Sequence, residues 1–415
     1  MNFLVDTRNN IKITYEELLI KINNYNSLRG FIYTNSIYEI FSQLIHSMIY
    51  GYRVCLLDSS FTKNEIRNLG LDPRDILKSS TLTNNKIVED PASLLEHIRN
   101  TSPDWRLTIY TSGTTGQPKE VEQTFDRLTR HVKTGVKHEN DVWAFAYDPT
   151  HMAGLQVFYQ ALLNLNTIVN IFCLSGDVIA DEINNHHVTS ISSTPTFYRL
   201  LANDFIGGCP TIKRVTLGGE RFDKQLECKL RKLFPDAKIR NVYASTEVGS
   251  LLGSSSGLFE IPEAIQDKVK VSGSNELLVH RSLMPGSNDI LFTNDWYHTG
   301  DVVKFVDGKR FEFQNRKNEL INIGGYNVNP SEVERQINSI SYVVDSLVYS
   351  KESKLIGSLL VADVQLQTPF DLSHADAEIE ISKLLNQKLQ KWKVPRLFYF
   401  KDEIELTRTG KKKRL

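Results

Sequence analysis

Four cysteines in 415 residues leave little room for disulfide or metal chemistry. Cys55, Cys173, Cys209 and Cys228 stand far apart, with no CxxC pair and no Cys/His zinc spacing, so reduced thiols and no structural metal are expected. An excess of either charge is also missing. Lys plus Arg and Asp plus Glu each total 49, which removes any overall pull toward nucleic acid or an anionic membrane and makes every basic site a local one. No apolar run approaches the ~20 residues of a membrane span. Asp6 interrupts "MNFLVDTRNN" before the apolar core of a signal peptide forms, so a cytoplasmic protein with no membrane and no nucleic-acid partner is expected. Internal repeats and low-complexity tracts are absent as well.

What remains is an ordinary globular composition, 40% hydrophobic and 24% charged, long enough for more than one domain. Short β-branched runs such as "GFIYTNS", "YRVCLLD", "WRLTIYTS", "NTIVNIFCL", "HVTSISSTP" and "IKRVTLGG" alternate with helical patterns such as "IYEIFSQLIHSMIY" and "MAGLQVFYQALLNL". That alternation predicts an α/β fold with much parallel sheet. After about residue 255 short strands and turns take over, with Asp307-Gly308 as a hairpin signal, and from "NPSEVERQINSI" onward a small α+β unit follows. A boundary near residue 318 separates the two regimes.

The stretch "YTSGTTGQPK" is the most unusual in the chain. Thr111, Ser112, Thr114 and Thr115 offer hydroxyls, Gly113 and Gly116 let backbone amides turn toward a ligand, and Lys119 adds a mobile positive charge. Polyphosphate oxygens need many donors and little side-chain bulk, which this loop supplies. No Ser or Thr follows Lys119, so it is not a GxxxxGK[ST] loop. A strand before it and a helix from "EQTFDRLTRHV" after it are expected.

In chain order, "YTSGTTGQPK", "THMAG", "LGGE", "NVYASTE", "WYHTGD", "NRKNELINIGGYNVNPSEVE" and "TRTGKKKR" resemble the motifs of the adenylate-forming superfamily, which includes acyl- and aryl-CoA synthetases. The resemblance covers nearly the whole chain. It implies a large domain over residues 1–317 with doubly wound sheets and a distorted β-barrel, a hinge at Asn318, and a small mobile α+β domain over residues 319–415. It implies that Tyr243 stacks on adenine while Asn241 and the backbone around Gly218, Gly219 and Glu220 approach its edge, that Asp301 holds the ribose hydroxyls, and that Arg316 supports ribose or phosphates. Thr246 would meet the α-phosphate and Glu247 a magnesium ion, since a carboxylate is a hard oxygen ligand. His151, Thr194, Pro195, Phe197, Gly218 and Ser245 would line the acid pocket, and Gly324, Gly325 and Tyr326 would form the loop that meets the thiol. Lys411 would be the catalytic lysine, whose ammonium stabilises charge that builds as the carboxylate attacks phosphorus. Lys412 and Lys413 read as a solvated basic tail.

The implied reaction has two steps. A small organic or aryl carboxylic acid and Mg-ATP give an acyl-adenylate and pyrophosphate, and a thiol of coenzyme A or of phosphopantetheine on a separate acyl carrier protein then displaces AMP. No carrier domain follows Leu415, so a carrier would be another chain. Three positions depart from the family pattern: Glu120 after the loop lysine, Ala244 after Tyr243 and Asn318 at the hinge. An amine as acyl acceptor, or a catalytically weak nucleotide-binding regulator, are the alternative readings.

Overall fold

A computed structural model describes the chain except residues 83–85, 112–118, 205–207, 221, 246, 285–291, 324–325, 354–356, 408–410 and 414–415. The main sheet has eight strands in the order Gly249–Ser254, Lys238–Ser245, Arg214–Gly218, Ser190–Ser193, Val142–Phe145, Thr167–Asn170, Asn2–Asp6 and Ile11–Thr14. Pairing is parallel inside and antiparallel at both ends. The interior strands carry the buried Ile168, Val169, Ile191, Val215 and Leu217, as strands covered on both faces require. The N-terminal hairpin of this sheet is not signalled by the composition of "MNFLVDTRNN", yet Leu4 and Val5 pair with Ile168 and Val169.

A second sheet joins Phe31–Tyr33, Val54–Leu57, Leu107–Thr111 and Lys119–Gln123. The helices Ile37–Tyr50 and Met152–Leu162 share one core with both sheets, where Phe41 stacks on Phe158 at 4.3 Å and meets Phe145 edge-on at 5.4 Å. The segment after "YTSGTTGQPK" differs from expectation. It is a strand, antiparallel to Leu107–Thr111, and the helix starts only at Phe125. Burial of Val121 and Gln123 between the outward Glu120 and Glu122 gives the period of two that selects a strand, and Thr124 then caps the short helix.

A third, antiparallel sheet contains Val269–Val271, Glu276–His280, Trp296–Phe305 and Phe311–Arg316, the last two joined by the Asp307-Gly308 turn. Its core of Leu252, Phe259, Leu277, Val303 and Phe311 includes Phe313, while Ile321 and Ile323 pack into a different core with Val328, Val333, Val348, Leu360 and Ile381. The short 3-10 turn Lys317–Glu319 lies between the two cores. The small unit is a three-stranded sheet, Val343–Ser353, Gly357–Leu366 and Leu397–Lys401, carrying the helices Pro330–Asn338 and His374–Lys388. Among the described residues no helix is long and apolar enough to cross a membrane.

Candidate active site

The strand ends of the main sheet, the third sheet and the small unit border one continuous cleft. Gly218, Gly219, Glu220, Asn241, Tyr243, Ser245, Glu247, Asp301, Arg316 and Lys411 all line it, as do His151 and Thr194. Two glycines shape its rim. Gly219 has φ 83°, a left-handed conformation that side chains disfavour, and an added Cβ there would stand 3.0 Å from Lys411 Cε. The aliphatic stem of Lys411 therefore lies against the turn that the motif "LGGE" assigns to adenine. Gly300, with φ 75°, makes the turn that brings Asp301 into the same cleft.

Asp301 is held from two sides. Its Oδ2 accepts a 2.6 Å hydrogen bond from the Tyr243 hydroxyl, and its Oδ1 takes Arg316 Nε at 2.8 Å. Burial would lower the Arg316 pKa, but the Asp301 charge beside it outweighs that and the net shift is upward. Burial and the same carboxylate push the Tyr243 phenol well up, so the hydroxyl stays a donor. One face of the Tyr243 ring stacks on Phe313 at 4.3 Å.

Behind Asp301 lies a layer that the motifs do not reveal. Glu276 Oε1 accepts from Gly300 N at 2.9 Å, and Oε2 takes Lys317 Nζ at 2.8 Å and His298 Nδ1 at 3.0 Å. Burial acts to raise the Glu276 pKa, while Lys317 and His298 overcome it and hold the carboxyl below its ordinary range. Its sequence signal is faint, a glutamate starting an apolar strand, where only the fold puts Lys317 within reach.

Glu220 lines the cleft, and its carboxylate is taken by the neighbouring helix. Oε2 accepts from Thr196 N at 2.9 Å and Thr196 Oγ1 at 2.7 Å, capping the helix Pro195–Asp204. Pro195 and Phe197 do not join the cleft lining: Phe197 packs on the core beneath the main sheet, because the helix turns it inward. Glu120 stands opposite Tyr110 in the strand pair and is exposed. Lys412 is no solvated tail. Its Nζ reaches Asp345 at 2.7 Å and its side chain is only 8% exposed.

His151 precedes the first turn of Met152–Leu162 and gathers with Asp58 and Asp148, all three offering an atom within 4.8 Å of the others. Each aspartate is fixed by a local turn: Asp148 Oδ1 takes Thr150 N and Oγ1 at 2.8 and 2.6 Å, and Asp58 Oδ1 takes Ser60 N and Oγ at 2.8 and 2.6 Å. Asp58 is a site neighbour that sequence reading missed, since "LLDSS" reads as a plain turn. Gly154 is demanded by packing, because a Cβ there would lie 2.5 Å from Asp148 O.

Glu247 is half-buried on the cleft wall, and its carboxylate takes no hydrogen bond or ion pair from another described residue. Burial, and after it the Glu247 charge, push the Tyr297 hydroxyl up to about 12. A carboxylate oxygen with no partner among the described residues, on the wall of this cleft, fits a magnesium ligand. Ser112, Gly113, Thr114, Thr115, Gly116, Thr246, Gly324 and Gly325 lie outside the described residues, as do the side chains of Thr111, Lys119, Asn318 and Tyr326.

The sequence profile of the AMP-binding enzyme family matches residues 57–274, and that of the AMP-binding enzyme C-terminal domain matches residues 332–411. This chain belongs to the AMP-binding enzyme family. It is an ATP-dependent ligase that activates a carboxylic acid as its acyl-AMP. The 2-succinylbenzoate–CoA ligase of Bacillus subtilis is 27% identical over 394 residues, 87% of this chain and 76% of that protein. The 2-succinylbenzoate–CoA ligase of Staphylococcus aureus is 25% identical over 412 residues, 92% and 82% of the two chains. Among solved structures, ATP-bound MatB from Rhodopseudomonas palustris superposes with a TM-score of 0.73 at 17% identity, over 99% of this chain and 94% of that one. The O-succinylbenzoate coenzyme A synthetase of Bacillus subtilis with ATP and magnesium ion gives 0.68 at 20% identity, over 99% and 95%. These likenesses carry the same two-part α/β architecture with a half-barrel sheet.

Proposed function

We propose that this member of the family joins an aryl acid bearing a second carboxylate, of the 2-succinylbenzoate kind, to the thiol of coenzyme A. The observation that carries the reading is Lys411 lying against Gly219, in one cleft with the Tyr243–Asp301–Arg316 group and Glu247. In that arrangement Tyr243 offers a ring face to adenine, the Asp301 carboxylate accepts from the ribose hydroxyls, and Lys411 brings its ammonium to the carboxylate and α-phosphate as they join. Glu247 would hold Mg2+, which supplies neutralising charge to the phosphates.

The acid end of the cleft supports the substrate class. Trp143 and Tyr147 give the cleft aromatic walls, and Arg240 adds a positive charge to its lining, while burial holds the His131 pKa down. A long lipid tail would meet polar groups there and is disfavoured. The acyl group then passes to the thiol at the loop containing Gly324, Gly325 and Tyr326, after the small domain turns about Asn318; a separate carrier protein is the other acceptor of the same chemistry.

The test is ATP–pyrophosphate exchange with benzoate, malonate, a fatty acid, an amino acid and 2-succinylbenzoate, followed by coenzyme A or a pantetheinylated carrier. Fastest exchange with the aryl dicarboxylate and thioester formation with coenzyme A are expected. Preference for the fatty acid or amino acid would overturn the substrate class, and thioester formation on the carrier alone would overturn the acceptor.

A further inference from the structure

Lys411 and Lys412 are neighbours that point in opposite directions. The segment is extended, bridged by Leu406 and Lys412, so successive side chains alternate. Lys411 leaves the small domain toward Gly219 of the large one. Lys412 turns inward, where Nζ lies 2.7 Å from Asp345 Oδ1, 2.5 Å from Ser346 O and 3.7 Å from Glu334 Oε2. Asp345, 1% exposed, is further fixed by Asn338 Nδ2 at 2.8 Å and Ser346 N at 2.9 Å. The strand that carries Asp345 packs against the helix Pro195–Asp204 of the large domain, where Arg199 pairs with Asp223 at 3.0 Å.

We infer that Lys412, Asp345 and Arg199 form a positioning relay across the domain interface, which aims Lys411 at the α-phosphate and selects the orientation used for acyl-adenylate formation. Lys412 sets the register of the terminal segment inside the small domain. Arg199 sets the small domain on the large one through Asp345. The charges sense one another: burial would raise the Asp345 pKa, yet Lys412 and Arg199 hold it low, and Asp345 and Asp223 in turn hold the Arg199 pKa up against burial. When the small domain rotates for thiol attack, the Lys412–Asp345 pair travels intact while Asp345 parts from Arg199. The relay therefore acts on the first half-reaction and not the second.

This inference rests on the reading of Lys411 given above. Its test measures pyrophosphate exchange and, separately, thioester formation from supplied 2-succinylbenzoyl adenylate, or from the adenylate of the acid that exchanges fastest. The variants are Lys412→Met, Arg199→Gln and the double variant Lys412→Met/Asp345→Asn, which removes the Asp345 charge together with its cation. Because an ångström of misplacement can cost about 100-fold, kcat for exchange should fall roughly tenfold or more in all three, with KM for ATP and the thioester step within about twofold of wild type. Equal loss of both half-reactions, or unchanged exchange in a variant whose thermal unfolding shows it folded, overturns the relay. Lys411→Ala separates the two ideas. Should it exchange at the wild-type rate, the role of Lys411 fails and the relay with it; should it lose exchange while the relay variants keep it, only the relay is overturned.

Discussion

Single atoms decide much of this site. Gly219→Ala would place a Cβ 3.0 Å from Lys411 Cε in a backbone conformation with φ 83°. The strain costs about 1–3 kcal/mol, and the lysine must retreat, so pyrophosphate exchange should fall by roughly an order of magnitude or more, with KM for the acid little changed. Asp301→Asn removes the charge that both Arg316 and the ribose use, and the KM for ATP should rise roughly tenfold or more, as expected for a lost charge-assisted pair. Away from the site, burial pushes His46 down to about 4, so the folded chain keeps it neutral. A depressed pKa means that this stability is present above the unfolded value of about 6.5 and is lost as pH falls toward 4. The effect is at most about 3 kcal/mol. Chemical denaturation of wild type and His46→Gln at pH 7 and pH 4.5 checks it: wild type should lose more stability across that interval than the variant.

At the scale of elements, the hinge gives the sharpest test. Asn318→Pro fixes φ near −65° and removes an amide donor in the turn Lys317–Glu319, so the small domain should hold one orientation. Pyrophosphate exchange should change far less than overall thioester production, and a folded proline variant that makes thioester at the normal rate would place the pivot elsewhere. Which elements could be read from the sequence follows a physical pattern. Buried strands such as Arg214–Gly218 and the helices Ile37–Tyr50 and Met152–Leu162 announce themselves by period and β-branching. The strand Lys119–Gln123 did not, since "KEVEQ" has only one apolar residue and its ladder to Leu107–Thr111 is a nonlocal fact. Asp301, Glu247 and Lys411, singled out by their motifs, all come to line one cleft. Glu276, Asp58 and the Lys412–Asp345 pair were not singled out, because each depends on a partner brought from a distant part of the chain.

For the whole molecule, nucleotide binding should be separable from catalysis. With ATP and Mg2+ at about 100 times the dissociation constant, linkage adds about 2.7 kcal/mol, which raises Tm by several degrees. Lys411→Ala should keep most of that shift while losing exchange by about two orders of magnitude, because the ammonium acts mainly on the transition state. A thermal-shift titration beside the exchange assay distinguishes this from simple loss of binding. The helix Pro195–Asp204 links these events. Its first turn grips Glu220 through Thr196, and the helix packs on the strand that carries Asp345, with Arg199 one turn later. With a helical rise of about 1.5 Å per residue, Thr196 and Arg199 stand within one turn of each other along the axis. Two remote parts of the chain, the turn holding Glu220 and the strand holding Asp345, thus meet on one helix of ten residues.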